Sequence, residues 1–150
     1  MLLTFLFCKF AAQQKHLNMS VDILTIAKNY LKALKQGKTG KELAIFFHED
    51  VEQVELPNQL NPNGVTSNLT TLLERAEQGK KLVKSQDYQI RNAFVHDNTV
   101  VMELEWSGIM NVHVGTLSAG QTMKAHFAMF IDFKDGKIIH QRNYNCFEPF

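Results

Sequence analysis

The sequence has only two cysteines, Cys8 and Cys146, and three prolines. Two cysteines cannot staple a small scaffold, so stability has to come from a buried core. Free thiols suit a reducing compartment, and the chain is read as cytoplasmic. Lysine and arginine nowhere run longer than a pair and the net charge is +1, so no basic stripe is offered to nucleic acid. Six histidines stand at 16, 48, 96, 113, 126 and 140, none two or four residues from another. That spacing supplies no paired ligands, and no metal site is expected. Glycine-rich phosphate loops are missing; "PNG" and "SAG" read as turns. No nucleophile-elbow motif occurs, and neither cysteine has a base partner in sequence. The apolar run Leu2 to Cys8 is far too short to span a bilayer.

That run opens a segment, "MLLTFLFCKFAAQQKHLN", unlike the rest of the chain. No positive charge precedes it, and Phe10 spoils any small-x-small cleavage site. A leader or extra segment outside the native domain, a genuine N-terminal element and a signal peptide all stay open. Met19 and Ser20 then precede a good helix. The chain divides into a leader or extra segment over residues 1–18 and one domain over 19–150. A domain of that size buries about two-thirds of the surface of its unfolded chain.

What is present has a clear order. Ile23, Ile26, Ala27, Tyr30, Leu31 and Leu34 recur at helical spacing, with Ser20 as N-cap and Gly37 as stop. "TGKELAIFF" predicts a second helix with a Thr39–Glu42 capping box. "SNLTTLLERAEQGK" predicts a third, stopped at Gly79. A short strand in "DVEQVELP" lies between the last two and breaks at Pro57. Four strands follow: "SQDYQIRNAFV", "NTVVMELEWSGIMNV", "TMKAHFAMFIDF" and "KIIHQRNYNCF". Helices first and an antiparallel meander after them predict an α+β fold, helices packed on one face of a curved sheet.

Alternation sorts the faces. Val100, Met102, Leu104 and Trp106 point inward, as do Ala125, Phe127, Met129, Ile131 and Phe133. Asp135-Gly136 predicts a two-residue hairpin. Pairing outward from it sets Ile138 beside Phe133, His140 beside Ile131, Arg142 beside Met129 and Tyr144 beside Phe127. His140, Arg142 and Tyr144 then face inward, and Gln141, Asn143 and Asn145 outward; a bulge or one-residue slip exchanges the two sets. Inward polar groups cost several kcal/mol if dry and unpaired. They are tolerable if the sheet curls around a cavity holding water or ligand.

In this order of elements, and in "FFHEDVEQVELP" and "FAMFIDFKDGKI", the chain from Ser20 to Phe147 resembles the NTF2-like superfamily, in its SnoaL-like and ketosteroid-isomerase-like branch. The resemblance implies a cone: three N-terminal helices on a strongly curved, mostly antiparallel sheet enclosing a pocket, often in a dimer. Steroid isomerases of this fold use a carboxylate base, a tyrosine hydroxyl and a protonated aspartate. By resemblance the tyrosine is Tyr30, followed by Leu34 and Gly37, and the base is Glu55, five residues after Asp50. The pocket tryptophan matches Trp106, two residues before Gly108. The third group does not carry over. Its position is Met129, which also departs from the aspartate of SnoaL-type cyclases.

Two readings of function follow. One is an enzyme without cofactor, an isomerase, cyclase or lyase acting on a small apolar carbonyl compound. Glu55 is then base, Tyr30 hydroxyl donor, and Met102, Trp106, Phe127, Met129, Arg142 and Tyr144 are the pocket. An apolar site raises the pKa of such a carboxyl toward neutrality, while an inward Arg142 would lower it. The other reading is a non-catalytic ligand-binding or dimerisation module, favoured by Met129 because a second oxyanion donor is missing. A homodimer is expected through the outer sheet face, where Val101, Ala128 and Phe130 lie among polar neighbours.

Overall fold

Helix α1 spans residues 23–35 and buries Ile23, Ala27, Tyr30 and Leu31 along one stripe. The computed structural model describes residues 23–150; the segment 1–18 and the Ser20 cap lie outside the described residues. Gly37, at φ +67°, ends α1 in a Schellman turn, with Gly37 N–H donating to Leu34 C=O and Lys38 N–H to Ala33 C=O. Helix α2 is only Gly40–Ala44. The expected capping box is not formed: the Thr39 side chain makes no cap bond, and Glu42 pairs instead with Lys38. "IFF" leaves the helix, because Phe47 already belongs to strand β1, Phe47–Glu55.

A short strand β2, Val65–Ser67, precedes helix α3, Leu69–Leu82. Asn68 caps α3 by accepting from Thr71 N–H, and Gly79 lies inside the helix instead of ending it. The meander follows as β3 Val83–His96, β4 Thr99–Met110, β5 Thr122–Lys134 and β6 Lys137–Phe147. The six strands form one open sheet in the order β2-β1-β6-β5-β4-β3, with β1 and β6 parallel and the other neighbours antiparallel.

The predicted inward set on β4 is buried throughout, and so are Ala125, Met129, Ile131 and Phe133 on β5. Burying a side chain such as Leu104 or Ile131 contributes roughly 1.5–3 kcal/mol. The apolar interior has two parts. The larger packs α1 and α3 against the sheet through Leu31, Leu72, Met102, Met129 and Ile138. The smaller gathers Trp106, Met110, Met123 and Ala125 at the other end of β4 and β5.

The hairpin at Asp135-Gly136 has φ +52° and +71°, as a two-residue primed turn requires. Phe133 pairs with Ile138 as expected, but Asp132 then pairs with His140, so Ile139 is an extra residue in β6. Beyond that bulge the pairing is Gln141 with Ile131, Arg142 with Phe130, Asn143 with Met129 and Tyr144 with Ala128. This corrects the inward placement of His140, Arg142 and Tyr144. The amides turn inward instead. Gln141 is fully buried, while Tyr144 is exposed.

Candidate ligand-binding site

A cavity of about 430 Å³ opens at the smaller apolar cluster, between α3, the loop after β1 and the sheet. Trp106 and Phe127 form its aromatic wall, stacked with centroids 5.7 Å apart and planes 19° from parallel; Phe147 meets Trp106 edge-on. The indole lies flat because Gly108 has no side chain: a Cβ there would come within 2.6 Å of Trp106 Cζ2. Met110 and Met123 extend the apolar lining.

Glu55, at the end of β1, supplies the negative charge on the cavity wall, and Arg75 the positive. Its side chain is 10% exposed, and its carboxylate oxygens take four hydrogen bonds. Arg75 Nη2 on α3 donates to Oε2 at 2.6 Å, while Asn58 Nδ2 (2.7 Å), Asn61 Nδ2 (2.8 Å) and Asn145 Nδ2 (3.3 Å) donate to Oε1. Burial alone would raise this carboxyl. The hydrogen bonds from Arg75, Asn58 and Asn61, with the Arg75 charge, outweigh burial and hold it below the ordinary value. Arg142, the charge expected to do this, lies on the outer face. It donates to Asp132 Oδ2 at 2.7 Å and stands over the Phe130 ring.

The loop that carries Asn58 and Asn61 is built to hold them. Asn58 Oδ1 accepts from the N–H groups of Leu60 and Asn61, which leaves its Nδ2 to face Glu55. Gly64, at φ +64°, closes the loop so tightly that a Cβ would sit 2.7 Å from the Glu55 carbonyl oxygen.

A second polar group lies on the β3–β4 side of the cavity. Gln86 Nε2 donates to Leu34 C=O at 2.8 Å. Gln86 Oε1 accepts from Tyr88 O–H and from Trp106 Nε1–H, both at 3.1 Å. Burial, with the nearby Tyr30, raises the Tyr88 phenol above its ordinary value, against a hydrogen bond from Trp106.

Of the residues expected at the site, Glu55, Trp106 and Phe127 line this cavity. Tyr30 is not brought to it. It packs against Phe46 and Phe47 in the main core, facing Gln141 and Gln53; burial pushes its phenol up to about 12, although those two hydrogen bonds lower it. Met102 and Met129 are also in the main core, and Arg142 and Tyr144 are on the outer face, where Tyr144 meets Phe130 edge-on. Sequence reasoning missed Arg75, Asn61, Gln86 and Tyr88. The signal for Arg75 is its helical spacing: it lies three residues after Leu72 and four before Gly79, on the side of α3 that faces β1.

The match to a family model decides the relationship: the SnoaL-like domain matches residues 27–141. The chain belongs to the SnoaL-like family. Solved structures agree on the NTF2-like cone. AclR from Streptomyces galilaeus superposes with a TM-score of 0.71 at 13% identity, covering 87% of this chain and 82% of that one. A phenazine biosynthesis-related protein from Pseudomonas aeruginosa gives 0.68 at 16% identity, covering 88% and 84%. A SnoaL-like polyketide cyclase from Agrobacterium tumefaciens gives 0.63 at 15%, covering 82% and 90%. Among curated proteins none matches. At such identities the structural likeness carries the fold and not the chemistry. Among the described residues of this SnoaL-like chain, no helix is long and apolar enough to cross a membrane.

Proposed function

We propose that this SnoaL-like protein is a binding module for a flat, mostly apolar small molecule carrying a carbonyl oxygen. The observation that carries this is the Arg75–Glu55 pair on the wall of an aromatic cavity. Glu55 already neutralises Arg75, so a neutral oxygen is a better guest than a carboxylate, which would bring unmatched charge into a partly dry site. Arg75 uses one N–H on Glu55 and one on Ser67 Oγ, and a guanidinium has five to give. The stacked Trp106 and Phe127 favour a planar ring.

A catalytic reading keeps Glu55 as the base, and its place on the cavity wall favours it. Its environment opposes it. A carboxyl held below its ordinary value is a weak base at neutral pH, and its oxygens already accept from four donors, three on Oε1 and Arg75 on Oε2. Binding is therefore the better supported reading.

The module is proposed to act as a homodimer through the outer sheet face. Phe94, Val101, Phe130, Arg142 and Val54 follow one another across five strands in register, and Phe94 is 60% exposed. A row of four apolar side chains and Arg142, whose charge is met by Asp132, suits an isologous contact. The free thiol of Cys146 fits a cytoplasmic setting.

The binding reading is tested by calorimetric titration of the full chain with acetylnaphthalene. Arg75→Gln is expected to weaken binding about tenfold, the worth of one charge-assisted hydrogen bond. Unchanged affinity in that variant would remove Arg75 from the site.

A further inference from the structure

The hydrogen bonds around Gln86 fix the direction of every proton in that group. Trp106 Nε1–H can only donate, so the Gln86 atom 3.1 Å from it must be the amide oxygen. The Leu34 carbonyl can only accept, so the atom 2.8 Å from it must be the amide nitrogen. Two partners of opposite kind therefore orient the amide without ambiguity. Tyr88 then has no choice. Its oxygen lies 3.1 Å from an amide oxygen that can only accept, so the phenol proton is committed to Gln86.

A tyrosine has one proton and two lone pairs. With the proton spent on Gln86, the phenol retains acceptor capacity and no donor. Tyr88 and Gln86 both line the cavity that holds Arg75. Arg75 is a donor only. On one wall Arg75 offers N–H donors, its counter-charge Glu55 being already paired with it, and on the other Tyr88 offers an acceptor.

We propose that Tyr88 meets the ligand as an acceptor only, so that the site selects carbonyl compounds that also carry a hydroxyl donor, such as a ring phenol. This rests on the binding reading above and narrows it. The carbonyl oxygen takes its bond from Arg75; the hydroxyl gives its bond to Tyr88. Gln86 is a positioning residue, because it acts on the ligand through Tyr88. Methylating the ligand hydroxyl keeps its oxygen and removes its proton. That change turns a matched contact into one between two acceptors, which cannot bond, and the site loses one hydrogen bond to the ligand.

The experiment compares acetylnaphthalene, its ring-hydroxylated isomers and their methyl ethers by calorimetry on the full chain. In the wild type the best hydroxylated isomer should bind about tenfold tighter than both the parent and its own methyl ether. In Tyr88→Phe that advantage should fall to within about twofold while the parent still binds. The variant leaves Gln86 Oε1 bonded to Trp106, so it does not strand the amide. A wild type with no hydroxyl preference would overturn the proposal while the binding reading stood, and so would a preference that survives Tyr88→Phe. If none of the compounds binds the wild type, the binding reading falls and the proposal with it. The wild-type comparison holds even if the variant folds poorly.

Discussion

Glu55 shows how one residue's role depends on its partners. A carboxylate at the end of a strand, beside an apolar cavity, suggests a base with a raised pKa. Four donors reverse that expectation and make it an anchor for Arg75 and for the loop after β1. Because the folded pKa is depressed, the stabilisation is present above the ordinary value of 4.5 and is lost as pH falls through the lower folded value. Glu55→Gln should cost about 1–3 kcal/mol at neutral pH, since it leaves Arg75 without its counter-charge. At this chain length that is a fall in melting temperature of about 3–10 °C. The gap between the two proteins should narrow as pH is lowered from about 4.5. Asp87 and Asp132 are also held low, but both are present in both proteins, so the difference isolates Glu55. A gap that is constant with pH would mean that the carboxylate charge does not matter.

Elements carried most of what the sequence could tell. The alternation of β4 and β5, the Asp-Gly hairpin and the stripe of α1 are strong local periodicities, and each holds in the structure. The last strand was legible as a strand but not as a face. One extra residue, Ile139, moves every later side chain to the other side, and a bulge has no fixed sequence signature. The polar character of β6 then has a direct account: Gln141 faces Tyr30, Asn143 accepts from Gln141, and Asn145 reaches Glu55. The candidate site was half legible. Trp106, Phe127 and Glu55 could be placed, whereas Arg75 and Asn61 converge on Glu55 from a helix and a loop whose docking no local pattern records. That loop offers its own test. Gly64→Ala imposes a left-handed backbone on a side chain and drives a Cβ against the Glu55 carbonyl. A loss of about 1–3 kcal/mol in chemical denaturation is expected. Faster hydrogen exchange should appear at residues 58–64. A neutral substitution would show that the loop tolerates opening and does not brace Glu55.

At the scale of the whole molecule, the fold separates two surfaces. The inner side of the sheet ends in the aromatic cavity, and the outer side carries the row from Phe94 to Val54. Among the described residues the helices pack on the inner side, and the cavity has its mouth at α3. Native mass spectrometry of the full chain purified from its host reads both surfaces at once. A dimer is expected, with Phe130→Glu shifting it to monomer, because the substitution removes the aromatic centre of that row and adds a charge that the contact would have to desolvate. The cavity's occupant decides the binding reading. A bound small molecule is expected, released on denaturation, that contains a carbonyl oxygen and an aromatic or other flat apolar frame, and that is depleted in Arg75→Gln. A protein that carries nothing from its host and also fails to take up acetylnaphthalene would contradict it.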